Sequence, residues 1–176
     1  DYRVPVEALK SVVTPQGRAG LEFQNGQVMT LGLNNWSGGQ VAAFTGIPRD
    51  YFRRLNDENP LLLADNINHG FKRESLEEEN KSRLVRVLDG NVRGFLSNRY
   101  RMLDAHELLQ AVLPELIQHD FQVIGCEVTE QRMYLKAATP RIQGEVKAGD
   151  VVSYGVMVST SDVGAGSLRV EPFFLS

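Results

Sequence analysis

The chain has 176 residues, 42% of them apolar and 23% charged, the proportions of an ordinary packed domain, and a formal net charge of −3. The mildly acidic balance argues against a strongly cationic nucleic-acid binder. No apolar run approaches the about 18–20 residues needed to cross a bilayer, and the opening DYRVPVEALK contains no apolar signal core.

In chain order, residues 4–14 are ambiguous, with Pro5 near the start of a possible short helix. Leu21, Phe23, Val28, Met29 and Leu31 flank Asn25-Gly26, a strong hairpin signal, and predict a hairpin over 20–32. Asn34 or Asn35 caps a helix to about Thr45, which Gly46 ends. Pro48 opens a second helix with Tyr51, Phe52 and Leu55 inside and Arg49, Arg53 and Arg54 outside. Asn59-Pro60 starts a third, with Leu61, Leu62, Ala64, Asp65 and Asn68 at roughly helical period. Lys72–Ser82, carrying Glu74, Glu77, Glu78 and Glu79, is expected to be a surface loop and the best candidate for disorder.

Residues 83–88 and 92–96 flank Asp89-Gly90 and predict a second hairpin. Alternation places Arg93 and Phe95 on one face, opposite Val92, Gly94 and Leu96. Asp104 caps a helix to about His119, with Pro114 expected to bend or break it late. A hairpin around Glu130 follows, then strands from Val151 and from Leu168, with Pro140 interrupting the pairing. Cys126, the one cysteine, sits among Val123, Ile124 and Val128 and reads as a buried, inert thiol. With no disulfide possible within the chain, the cytoplasm is the expected compartment.

These elements predict an α+β fold in one domain: an amino-terminal hairpin and helices over 1–72, packed on an antiparallel sheet of hairpins with a covering helix over 83–176. The missing initiator Met and the final strand-like EPFFLS suggest trimming from a longer protein.

Three groupings offer binding chemistry. Arg83, Arg86, Arg93, Phe95, Arg99, Tyr100 and Arg101 combine cations for phosphates with aromatic platforms for bases, the set that a single-stranded polynucleotide needs; the alternative is core aromatics with solvated arginines. Arg49, Arg53 and Arg54, after a helix and a Gly-Ile turn, imitate a helix-turn-helix reader of duplex DNA; a packed helical pair explains the segment equally. Ser161–Arg169, with Gly164, Gly166 and Arg169, offers an anion nest or simply a hairpin loop. Asp65 and His69 share a helical face as a weak ligating pair. No metal or catalytic motif stands out, no cofactor is implied, and an enzyme is the less favoured reading.

Thr45–Leu55 (TGIPRDYFRRL), Leu62–His69 (LLADNINH), Arg86–Leu109 (RVLDGNVRGFLSNRYRMLDAHELL) and Ser159–Phe174 (STSDVGAGSLRVEPFF) resemble, in the same order, the phage/plasmid-like protein family known as domain of unknown function 932. The resemblance implies a cytoplasmic bacterial protein of phages, plasmids and integrated elements, often beside replication or recombination genes. It also implies a continuation past the last strand. By analogy of layout, phage single-strand annealing proteins come into view, and with them a homo-oligomer. The expected partner is DNA, single-stranded rather than duplex. A second reading is a scaffold or inhibitor whose acidic carboxy-terminal half meets a host protein; a third is a hydrolase or nuclease around Asp65 and His69.

Overall fold

Turn chemistry builds the first sheet. Gly26 takes φ +74° between β3 (Ala19–Asn25) and β4 (Gln27–Leu33). Asp89 and Gly90 take φ +49° and +74° between β5 (Ser82–Leu88) and β6 (Asn91–Ser97), so both central turn residues are left-handed, as a two-residue hairpin loop requires. In this computed structural model the backbone is described for residues 1–147 and 150–175, and side chains for those outside 141–151. The ambiguous start resolves into two strands, Tyr2–Pro5 (β1) and Lys10–Val13 (β2), separated by one 3₁₀ turn. The six strands run β1-β5-β6-β4-β3-β2, antiparallel except where Gly32 and Leu33 of β4 lie parallel to Asn91 and Val92 of β6.

Three helices cover one face of this sheet. Asn34 caps α1 (Asn35–Thr45) by accepting from the Ser37 amide at 2.8 Å, and Gly46 ends it at φ +71°. Pro48 precedes α2 (Arg49–Glu58), and Asn59 caps α3 (Pro60–Glu74). Leu21, Val41, Leu63, Ile67, Phe71, Val85, Val92 and Phe95 belong to the core beneath. On α3 the buried stripe is Leu63, Ala64, Ile67, Gly70 and Phe71, whereas Leu61 and Leu62 are exposed, one position away from the face expected from periodicity. Gly70 is dictated by contact: a Cβ there would lie 2.5 Å from Thr45 Cβ and 3.1 Å from Thr45 Cα. The segment expected to be a loop from Lys72 instead continues α3 to Glu74. That carboxylate then holds Arg73 at 2.8 Å and Asn80 at 2.7 Å.

The chain divides into two compact units, residues 1–100 and 101–176. The expectation of a single sheet starting at residue 83 is therefore corrected. The central hairpin completes the first sheet, because β1 pairs with β5 and β4 with β6. In the second unit, α4 (Ala105–Gln118) starts with Glu107 accepting from the Asp104 amide at 3.2 Å and continues through Pro114. Strands β7 (Gln122–Val128), β8 (Met133–Lys147), β9 (Asp150–Thr160) and β10 (Arg169–Leu175) form an antiparallel sheet in the order β10-β9-β8-β7. Pairing between β8 and β9 shifts register between Thr139 and Gln143, around Pro140, as a residue without an amide donor demands. Leu108, Leu116, Met133, Leu135, Ala137 and Val158 form this unit's core. Cys126 lies on the edge strand β7 and is exposed, not buried as expected, since only β8 flanks it. Pro172 lies in β10, the opposite edge. The fold class is α+β.

Candidate nucleic-acid interface

The central ribbon does not present the basic-aromatic face that alternation suggested. Arg86 pairs with Gly94 and Val87 with Val92, so Arg93 is an extra residue in a β-bulge. The bulge returns Val92 to the same core face as Phe95, against simple alternation. Backbone groups at the bulge are taken by α1: Ser37 Oγ donates to the Val92 carbonyl at 2.6 Å, and the Phe95 amide donates to Gln40 Oε1 at 2.8 Å. Phe95 is 1% exposed and stacks with Phe71, so it is core and offers no platform for a base.

Arg83 turns onto the same aromatic cluster. Its guanidinium carbon lies 4.4 Å from the Phe44 ring centroid and 5.0 Å from that of Phe95. Burial pulls its pKa down to about 10, opposed by the nearby Glu74 carboxylate. Arg86 is 4% exposed and bonds Asp1 Oδ2 from Nη2 at 2.8 Å and from Nε at 3.1 Å. Arg93 and Tyr100 are half-buried, whereas Arg99 and Arg101 are exposed. Of the seven ribbon residues, only these two arginines thus stand fully on the surface.

Helix α2 offers the stronger cationic surface. Arg49, Arg53 and Arg54 are all exposed on its first two turns, where Asp50 is the one opposing charge, 3.6 Å from Arg53. Asp57 at the far end is already paired with Arg18. Arg54 lies 5.3 Å over the ring of Tyr51, which is itself exposed and gives a ready aromatic face. Arg49, Arg53 and Asn56, spaced i, i+4 and i+7, line a cleft of about 260 Å³ with Leu33, Gly38, Gly39 and Phe52. Asn56 Oδ1 accepts from the Ala19 amide at 2.8 Å, which fixes the carboxamide and commits its acceptor. Asn56 is therefore unavailable to read a base pair in both directions, and no Asn or Gln takes its place earlier on α2. Arginine can read guanine, but α2 offers no uncommitted Asn or Gln of the kind that reads adenine.

No family model, curated protein or solved structure matches this chain.

The glycine loop is held by the side chains of Ser161 and Arg132. In the glycine loop, Gly164 takes φ +77°, but Ser161 Oγ accepts from the Ala165 amide at 2.8 Å and from that of Val163 at 3.3 Å. Arg132 donates to the Ala165 carbonyl and lies under Gly166, where a Cβ would come 2.8 Å from Cζ. Ser161 thus takes up two of the loop's amides, and Gly164 and Gly166 serve its turn and its close packing. Arg169 beside it is exposed. Asp65 and His69 are exposed on α3, and among the described residues no group of three or more His, Cys, Asp or Glu is placed to hold a metal ion. Their neighbour Asn68 fastens helix to sheet, accepting from the Ser11 amide at 2.7 Å and donating to the Ser11 carbonyl at 2.9 Å. No helix among the described residues is long and apolar enough to cross a membrane.

Sequence reasoning named Arg49, Arg53 and Arg54 but missed Asn56 and the glycine pair. The i, i+4, i+7 spacing of Arg49, Arg53 and Asn56 was visible. That Gly38-Gly39 on another helix would form the opposite wall was not.

Proposed function

We propose that this chain is a DNA-binding accessory protein of phages, plasmids or related mobile elements, acting in the cytoplasm on single strands during replication or recombination. The observation that carries the reading is the exposed set Arg49, Arg53 and Arg54 beside Tyr51 on α2. Cations hold a phosphate backbone without regard to sequence, and an exposed aromatic face stacks on an unpaired base. Arg99, also exposed in the first unit, is a further cation available to a strand. The resemblance to the phage/plasmid-like family supports the biological setting. Fluorescence anisotropy with labelled single-stranded and duplex oligonucleotides across a salt series tests it. Binding to single strands that weakens steeply with salt supports the proposal; no binding at low salt removes it.

A second reading, a scaffold that docks on a host protein, draws support from the exposed apolar side chains Val170 and Phe174 on β10 and Val128 on β7. A pulldown from host lysate that recovers one stoichiometric partner would favour it.

A further inference from the structure

The cleft beside α2 has a composition that the strand-binding reading does not by itself require. Its lining holds two guanidinium groups and three asparagines, and no carboxylate. Among the described residues Arg49 makes no hydrogen bond or ion pair, so its charge is uncompensated. Its placement is nonetheless defined: a Cβ on Gly39 would lie 3.2 Å from both Cζ and Nε of Arg49 and 3.3 Å from Nη2, so the guanidinium lies against a bare glycine. Asn56, anchored through Oδ1 to the Ala19 amide, keeps both Nδ2 hydrogens for another acceptor. Asn34, which caps α1 by accepting through Oδ1 from the Ser37 amide, likewise keeps its Nδ2 hydrogens, so α1 adds a neutral donor to those of α2.

Size then limits what these donors can hold. The cleft of about 260 Å³ falls below the range in which pockets for drug-sized ligands begin, about 300 Å³. It accommodates one phosphorylated group, not a run of nucleotides. A track for a continuous backbone would spread its cations along the strand, whereas Arg49, Arg53 and Asn56 face one volume. A phosphate monoester, with nearly two negative charges and three acceptor oxygens, matches such converging donors better than a singly charged diester.

We infer that this cleft binds a single phosphate monoester, the phosphorylated end of a DNA strand or a free nucleotide monophosphate. The first source rests on the DNA-binding reading; the second does not. Arg49 supplies the uncompensated charge, Arg53 a second guanidinium and Asn56 a neutral donor.

The test uses the whole chain and five probes. These are otherwise identical oligonucleotides ending in 5′-phosphate, 3′-phosphate or hydroxyl, and thymidine 5′-monophosphate as competitor, with inorganic phosphate as a further competitor. A phosphorylated end should bind about tenfold more tightly than the hydroxyl end, a charge-assisted bidentate contact being worth at least that. The preference should vanish in Arg49→Gln, be largely lost in Arg49→Lys, and persist in Lys72→Gln, a change at an exposed cation outside the cleft. Arg49 is exposed, so these variants should fold. Equal affinity for all three ends, with no competition by the nucleotide, overturns the inference while leaving strand binding intact. Retention of the preference in Arg49→Gln also overturns it. Direct binding of thymidine 5′-monophosphate, with no oligonucleotide bound at all, supports the cleft and removes the DNA-binding reading instead.

Discussion

The guanidinium of Arg83 lies 5.0 Å from the ring centroid of Phe95, within the helix-covered core of the first unit. That contact removes the two residues best suited by type to nucleic-acid binding. Phe95→Ala should destabilise the protein by about 3–5 kcal/mol, the usual range for emptying a buried aromatic site, as read by urea denaturation. At temperatures where it stays folded, its oligonucleotide affinity should equal that of the parent protein.

Arg83→Met should have a thermal midpoint no lower than the parent at neutral pH. Burial lowers the folded-state pKa of Arg83 from its ordinary value to about 10, so folding disfavours its charged form. That unfavourable contribution is complete well below pH 10 and is relieved over the interval above it. The advantage of the Met variant should therefore narrow across this interval; widening would contradict the burial argument.

Arg53→Gln combined with Arg54→Gln should reduce the slope of log affinity against log salt by about one to two, if each guanidinium meets a phosphate. Circular dichroism should show an unchanged melting temperature, because both side chains are exposed. An unchanged slope would move the interface elsewhere.

Gln40→Leu should cost about 1–3 kcal/mol, the penalty for leaving a buried donor without a partner. The donor concerned is the Phe95 amide, which lies beyond Asn91 and Val92, the two β6 residues that pair with β4. Hydrogen exchange at that amide should accelerate selectively.

The bulge also shows where sequence reasoning stopped. Local chemistry was legible: Gly26 and Asp89-Gly90 turn their hairpins, while Asn34, Gly46 and Asn59 bound their helices as expected. Period-2 alternation assumes one residue per step. The extra Arg93 breaks that assumption and places Val92 with Phe95 on the core face. Nor does local sequence say which strands pair at a distance. The parallel contact of β4 with β6, which pulls the central hairpin into the first sheet, depends on helices α1 to α3 folding between them. The cleft was illegible for the same reason, since its walls come from separate elements.

Gly155→Ala should destabilise the second unit by about 1–3 kcal/mol, the usual cost of overpacking. A Cβ at Gly155 would lie 2.6 Å from Phe173 Cε1 and 2.9 Å from the Ala137 carbonyl oxygen. The aromatic ring fills the space over a glycine on the neighbouring strand, an arrangement that a methyl group displaces. Limited proteolysis should cut residues 101–176 faster in the variant, with the first hundred residues unaffected.

Pro172 has its own consequence on the outermost strand of the second sheet, where Val170 and Phe174 stand 65% and 66% exposed. Sticky, extended backbone of this kind invites stacking of one molecule onto the next. An imino acid in the middle of the strand supplies no proton to an incoming chain, so an uninterrupted ladder cannot grow from that side. Its replacement by threonine should speed aggregation, measured as thioflavin-positive material accumulating at moderate protein concentration.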